Sequence, residues 1–114
     1  MTEVHRIRLQ AAWDRGPAEM TWMRSFGRPT GIGPEDRIWL VIERAAACVV
    51  ALNGRVLAAA SAGDGPWRHD VTTALQERNE LQLTFNAARA DAAAGRGPLP
   101  EWLGVVTLII ESGC

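Results

Sequence analysis

From residue 4 almost to residue 111 the chain is a succession of short segments in which apolar and polar side chains alternate, separated by clusters of Gly, Pro, Asn and Asp. A strand turns successive side chains to opposite faces, so a period of two is what a half-buried sheet imposes on a sequence. Turn signals recurring at this spacing are those of a sandwich or barrel. Arg37–Glu43 shows the pattern most clearly, with Ile38, Leu40 and Ile42 on one parity and Arg37, Trp39, Val41 and Glu43 on the other. Cys48, Val50 and Leu52 continue it, and Asn53-Gly54 then supplies two residues that tolerate positive φ. That pair predicts a tight hairpin into residues 55–59.

The same reading extends outward. In residues 4–12, Val4, Ile7 and Leu9 alternate with His5, Arg6, Arg8 and Gln10 apart from one irregular step that reads as a bulge. Residues 19–26 place Met20, Trp22, Arg24 and Phe26 on one parity before a Gly- and Pro-rich loop at 27–34. Residues 61–66 form a second Gly-rich turn, and Asp70 is placed to cap one helical turn over residues 71–75. Leu81, Leu83 and Phe85 alternate with polar neighbours, residues 87–94 suit a helical turn or two, and residues 103–111 are apolar and β-branched enough for a central strand. The expectation is an all-β antiparallel sandwich of about eight strands forming one domain over residues 1–114.

Composition removes several function classes. The 12 basic residues are all Arg, scattered from Arg6 to Arg96, and 13 acids leave a net charge of −1. Nucleic-acid and anionic-membrane binding need a concentrated basic face, so neither is expected. No apolar stretch is long enough for a membrane span and the N-terminal residues lack a signal-peptide core, which makes a cytoplasmic location the expectation. Cys48 lies within an apolar run and reads as an inert small hydrophobe rather than as a disulfide partner of Cys114.

Four stretches together resemble a known family: Arg37-Ile38-Trp39-Leu40-Val41-Ile42-Glu43, Val50-Ala51-Leu52-Asn53-Gly54-Arg55-Val56-Leu57, Trp67-Arg68-His69-Asp70-Val71-Thr72 and Arg78-Asn79-Glu80-Leu81. In that order they resemble the sugar-binding jelly-roll domain of family 2 glycoside hydrolases, in the galactose-binding domain-like superfamily. With Arg24-Ser25-Phe26-Gly27-Arg28-Pro29-Thr30 upstream and the closing strand, the likeness spans about residues 4–111. It implies a jelly-roll fold. In the family enzymes this domain is an accessory beside a catalytic barrel, and fold alone does not establish sugar binding. His69 stands where the related domains carry an apolar or aromatic residue.

No arrangement of residues points to catalysis. The imidazoles are His5, read as an outward-facing side chain near the terminus, and His69; no serine stands in a nucleophile elbow. Glu35-Asp36 and Glu77 with Glu80 read as solvated turn residues rather than a glycosidase pair. Asp64, His69 and Asp70 are close in sequence, but strand alternation parts neighbours, so no metal site is expected; a structural calcium on loop carbonyls is left open. No phosphate loop is present, since the Gly-rich turns run into Pro34 and Pro66, and no cofactor is expected.

The five tryptophans remain. Sugars stack on exposed indoles, and the same rings fill cores and interfaces. Trp67, which follows a turn flanked by Asp64 and Arg68, and Trp39, opposite in parity to Ile38, Leu40 and Ile42, are the candidate ligand contacts; the set is Trp67, Arg68, Asp64 and Trp39. The expected role is a non-catalytic interaction domain that self-associates or binds a protein. Its alternatives are a carbohydrate-binding module and, more remotely, an accessory subunit of a glycosidase.

Overall fold

The computed structural model describes residues 4–15, 21–43, 48–60, 65–85, 95–99 and 104–112. All regular structure among them is strand, and no helix long and apolar enough to cross a membrane occurs there. The ten strands are β1 (Val4–Arg8), β2 (Trp13–Arg15), β3 (Thr21–Gly27), β4 (Arg37–Glu43), β5 (Cys48–Leu52), β6 (Arg55–Ala60), β7 (Trp67–Asp70), β8 (Arg78–Phe85), β9 (Gly95–Gly97) and β10 (Val105–Glu111). They form a four-stranded sheet in the order β1-β10-β4-β7 and a six-stranded sheet in the order β6-β5-β8-β3-β2-β9, every pairing antiparallel. This is the jelly-roll-type sandwich expected, with more strands than the eight read from the sequence. β2, β7 and β9 are too short for a period of two to show.

The core forms where the two inner faces meet. Ile38, Leu40, Ile42, Val106 and Leu108 from one sheet pack with Trp22, Phe26, Val50, Leu52, Leu81, Leu83 and Phe85 from the other. Leaving water stabilises each fully buried aliphatic or aromatic side chain by roughly 1.5–3 kcal/mol.

Two polar clasps fix the connections. Asn53 (φ 53°) and Gly54 (φ 82°) both sit in the left-handed region, so the hairpin closes as expected. The Asn53 amide donates to Asn79 Oδ1 at 3.0 Å, and its own Oδ1 accepts from the Glu80 amide at 2.9 Å. Buried Asn79 in turn accepts from Gln76 N and donates to Gln76 O. At the other end, the Gln10 side chain donates to the carbonyls of Leu99 and Gly104 and accepts from Val106 N. Fully buried Trp13 donates its indole N–H to Leu9 O at 2.6 Å.

Three local expectations are corrected. β1 ends at Arg8, and all five of its side chains are exposed because it is an edge strand. The irregular step lies not there but in the β5–β6 ladder, where Val50 and Ala51 pair with Ala58 and Val56 and Leu57 of β6 is the extra residue. His5 pairs with Ile110, which pairs with Ile38, so it takes the core-side parity rather than the outward one. The expected helical turn at 87–94 lies outside the described residues.

Candidate functional site

Pairing of β4 with β7 decides what becomes of the candidate ligand residues. Trp39 lies opposite Asp70, Leu40 opposite His69, Val41 opposite Arg68 and Ile42 opposite Trp67. Leu40 and Ile42 face the core, so Trp67 and His69 share the core side of β7 while Arg68 and Asp70 take the outer side. Trp67 is half-buried, packs against the core and stacks on His69, with ring centroids 5.8 Å apart and planes 9° from parallel. It is a strand residue that packs against the core, one of the two roles that the sequence left open for it. The Arg68 guanidinium instead lies 4.5 Å from the centroid of the Trp39 ring, a cation–π contact across the two strands. The fold therefore brings Trp39 and Arg68 together and turns Trp67 away from them; Asp64 lies outside the described residues.

Around that pair the outer face of the four-stranded sheet has an ordered composition. Register across the strands runs Arg6, Ile109, Trp39, Asp70 in one row and Arg8, Thr107, Val41, Arg68 in the next. Val105 beside Glu43 flanks them on one side and Glu111 beside Arg37 on the other. Val41 is only 5% exposed although it faces away from the core, and Trp39 Nε1 is buried without a hydrogen-bond partner among the described residues. The centre is thus apolar and aromatic, and the rim carries both signs of charge. Trp and Arg at the centre of a patch with a polar rim are residues enriched in recognition surfaces.

Asp70 ties this face to the turn that follows. Its Oδ1 accepts from the Thr72 hydroxyl and from the Thr72 amide, the N-terminal cap expected, and Leu75 N closes the single turn onto Val71 O. Those two bonds, hydroxyl first, hold the Asp70 carboxyl below its ordinary range, with smaller help from Arg37 and His69. Arg37 Nη1 lies 3.5 Å from Asp70 Oδ2 on the exposed surface. Burial pushes the Cys48 thiol up to about 11, which leaves it protonated and unreactive at neutral pH. Among the described residues no three His, Cys, Asp or Glu side chains are grouped as a metal site would require.

A second feature escaped the sequence reading. Between the β1–β10 edge and the β3–β4 loop opens a cleft of about 560 Å³, bordered by His5 and Ile7 from β1, Ile32 and Asp36 from the loop, and Ile110 and Ser112 at the end of β10. The only trace of it in the sequence is the parity that His5 shares with Ile7 and Leu9.

No protein-family model and no curated protein matches the sequence. Solved structures do resemble it. A β-glucuronidase of Bifidobacterium dentium, in complex with coumarin-3-O-glucuronide, aligns with 98% of this chain at a TM-score of 0.66 and 16% identity. A β-glucuronidase of Ruminococcus gnavus, bound to an N1-substituted uronic isofagomine, aligns with 94% at 0.63 and 12% identity. A Bacteroides fragilis protein assigned as a β-galactosidase aligns with 96% at 0.61 and 16% identity. These neighbours are family 2 glycoside hydrolases, so the resemblance read from the sequence holds at the level of fold. This chain spans 30%, 29% and 23% of their respective lengths.

Proposed function

We propose that this chain is a non-catalytic recognition domain that associates through the outer face of its four-stranded sheet, with a second copy of itself as the occupant. The observation that carries this reading is the Trp39–Arg68 pair at the middle of an apolar stripe whose rim alternates in charge. Arg6, Arg8, Arg37 and Arg68 stand among Glu43, Asp70 and Glu111 on that face, and a two-fold axis through Trp39 sets arginines of one copy against carboxylates of the other. A self-complementary patch is what an isologous interface needs.

Sedimentation equilibrium tests the proposal. Wild type is expected to dimerise with concentration, and Arg68→Glu and Trp39→Ala to weaken the dimer by about tenfold or more. A wild-type protein that stays monomeric up to about 1 mM, where association free energy is only about −4 kcal/mol, would overturn it. Carbohydrate recognition is the second reading. Its support is the cleft beside His5 together with the fold shared with glycosidases.

A further inference from the structure

We infer that the open edge of β1 takes an extended peptide of a partner protein as a further antiparallel strand, and that this peptide presents an acidic residue between two apolar ones. β1 ends the four-stranded sheet, and among the described residues no strand pairs with its other side. All five of its side chains are exposed, Val4 and Ile7 at 42% and 37%. Leu9 N donates to Val106 O at 2.9 Å, and Val106 N turns the same way, donating to the Gln10 side chain at 3.0 Å. Hydrogen-bonded pairs alternate along an antiparallel ladder, so Ile7 with Leu108 and His5 with Ile110 are the next two. The N–H and C=O groups of Val4, Arg6 and Arg8 are thereby directed to the open edge. Such a row is a template for another strand.

The two faces of β1 say what that strand must carry. On the core side, the cleft of about 560 Å³ is bordered by His5, Ile7, Ile32 and Ile110. Arg6 borders it as well, and because its side chain stands on the opposite face from His5 and Ile7, it does so through its main chain. A residue paired with Arg6 therefore has neighbours opposite His5 and Ile7, whose side chains enter the cleft and meet isoleucines. The far wall is fixed, since Asp36 Oδ2 accepts from Gly33 N at 2.8 Å and Asp36 N donates to Gly33 O at 3.2 Å. On the outer face Arg6 and Arg8 stand beside Ile109 and Thr107, and neither makes an ion pair among the described residues. A carboxylate on the residue opposite Arg6 comes within cross-strand reach of both guanidinium groups. The β1 strand of a second copy is the wrong occupant. Pairing two β1 strands over their whole length sets Arg6 against Arg6, and like charges directly opposite destabilise a ladder.

The test is an amide chemical-shift titration of the full chain, at about 50 µM, with the heptapeptide acetyl-STVEVTS-amide to about 5 mM, a range that detects dissociation constants on the order of 1 mM. Saturable shifts are expected at His5, Arg6, Ile7, Ile32 and Ile110. Replacing the peptide's glutamate by lysine is expected to weaken binding about three- to tenfold. Arg6→Glu should weaken the glutamate peptide to the same extent and restore binding of the lysine peptide. Methylating the glutamate's amide nitrogen removes the donor that pairs with Arg6 O and is expected to abolish saturation, a loss that side-chain contacts alone would not produce. Arg6 is exposed, and a dispersed spectrum verifies the fold of the variant. No saturable shift over that range, shifts that map to another edge, or equal binding of the N-methylated peptide would overturn the proposal. Shifts of β1 on dilution without peptide would also overturn it, by giving the edge to a second copy.

Discussion

Asn79 shows how much a single buried amide decides in this chain. It is 3% exposed, and its two polar atoms meet Gln76 N, Gln76 O and the Asn53 side chain, so the turn after β7, the β5–β6 hairpin and the start of β8 share one set of hydrogen bonds. Asn79→Ala strands several of these groups away from water and is expected to destabilise the protein by about 2–4 kcal/mol in urea titration. Loss of less than about 0.5 kcal/mol, as for a surface change, would contradict the clasp. Asp70 acts more weakly because it is exposed. Its carboxyl is depressed when folded, so it contributes stability above the ordinary Asp pKa of about 4, and that contribution disappears as pH falls through the folded value. Asp70→Asn should therefore flatten the acid limb of the stability profile below about pH 4. Trp67, half-buried on the core side, should cost about 2–3 kcal/mol when replaced by Ala, below the range for a fully buried Trp. A melting curve identical to wild type would remove it from the packing.

Among the elements, the β5–β6 hairpin and β7 mark the two ends of what the sequence makes legible. Asn53-Gly54 is a local signal, since positive φ at two successive positions is needed wherever the strands go, and the turn forms as read. Gly54→Val places a β-branched residue at φ 82° and is expected to lower the yield of soluble protein and the melting temperature together. β4 and β8, long strands with a period of two, were legible for the same local reason, and β10 by its apolar, β-branched run. β7 was not: four residues, Trp67–Asp70, bear the marks of a turn, and only pairing with distant β4 makes them a strand. The sequence put Trp67, Arg68, Asp64 and Trp39 in one group of candidate contacts, whereas alternation along β7 sends Trp67 to the core and Arg68 to the outer face. The cleft was illegible for a similar reason, because it exists only once β1 pairs with β10 and the β3–β4 loop folds beside them.

At the scale of the whole molecule, two sheets share one core and present faces of different character. The outer face of the four-stranded sheet has Trp39 under the Arg68 guanidinium, an apolar stripe through Val41, Thr107 and Ile109, and a rim of mixed charge. On the six-stranded sheet, edge strand β6 carries Val56 at 64% exposed, the most open of the large apolar side chains among the described residues. It is the competing surface for association, because a weakly charged edge can pair with another strand. The central claim, that the chain recognises a second copy through the Trp39–Arg68 face, is tested most directly by amide chemical shifts over a dilution series from about 1 mM to about 20 µM, concentrations that bracket a weak dimer. The account predicts concentration-dependent shifts confined to β4, β7 and β10, centred on Trp39, Arg68 and Ile109 and abolished by Arg68→Glu. Shifts centred on β6, or none anywhere in the series, would contradict it.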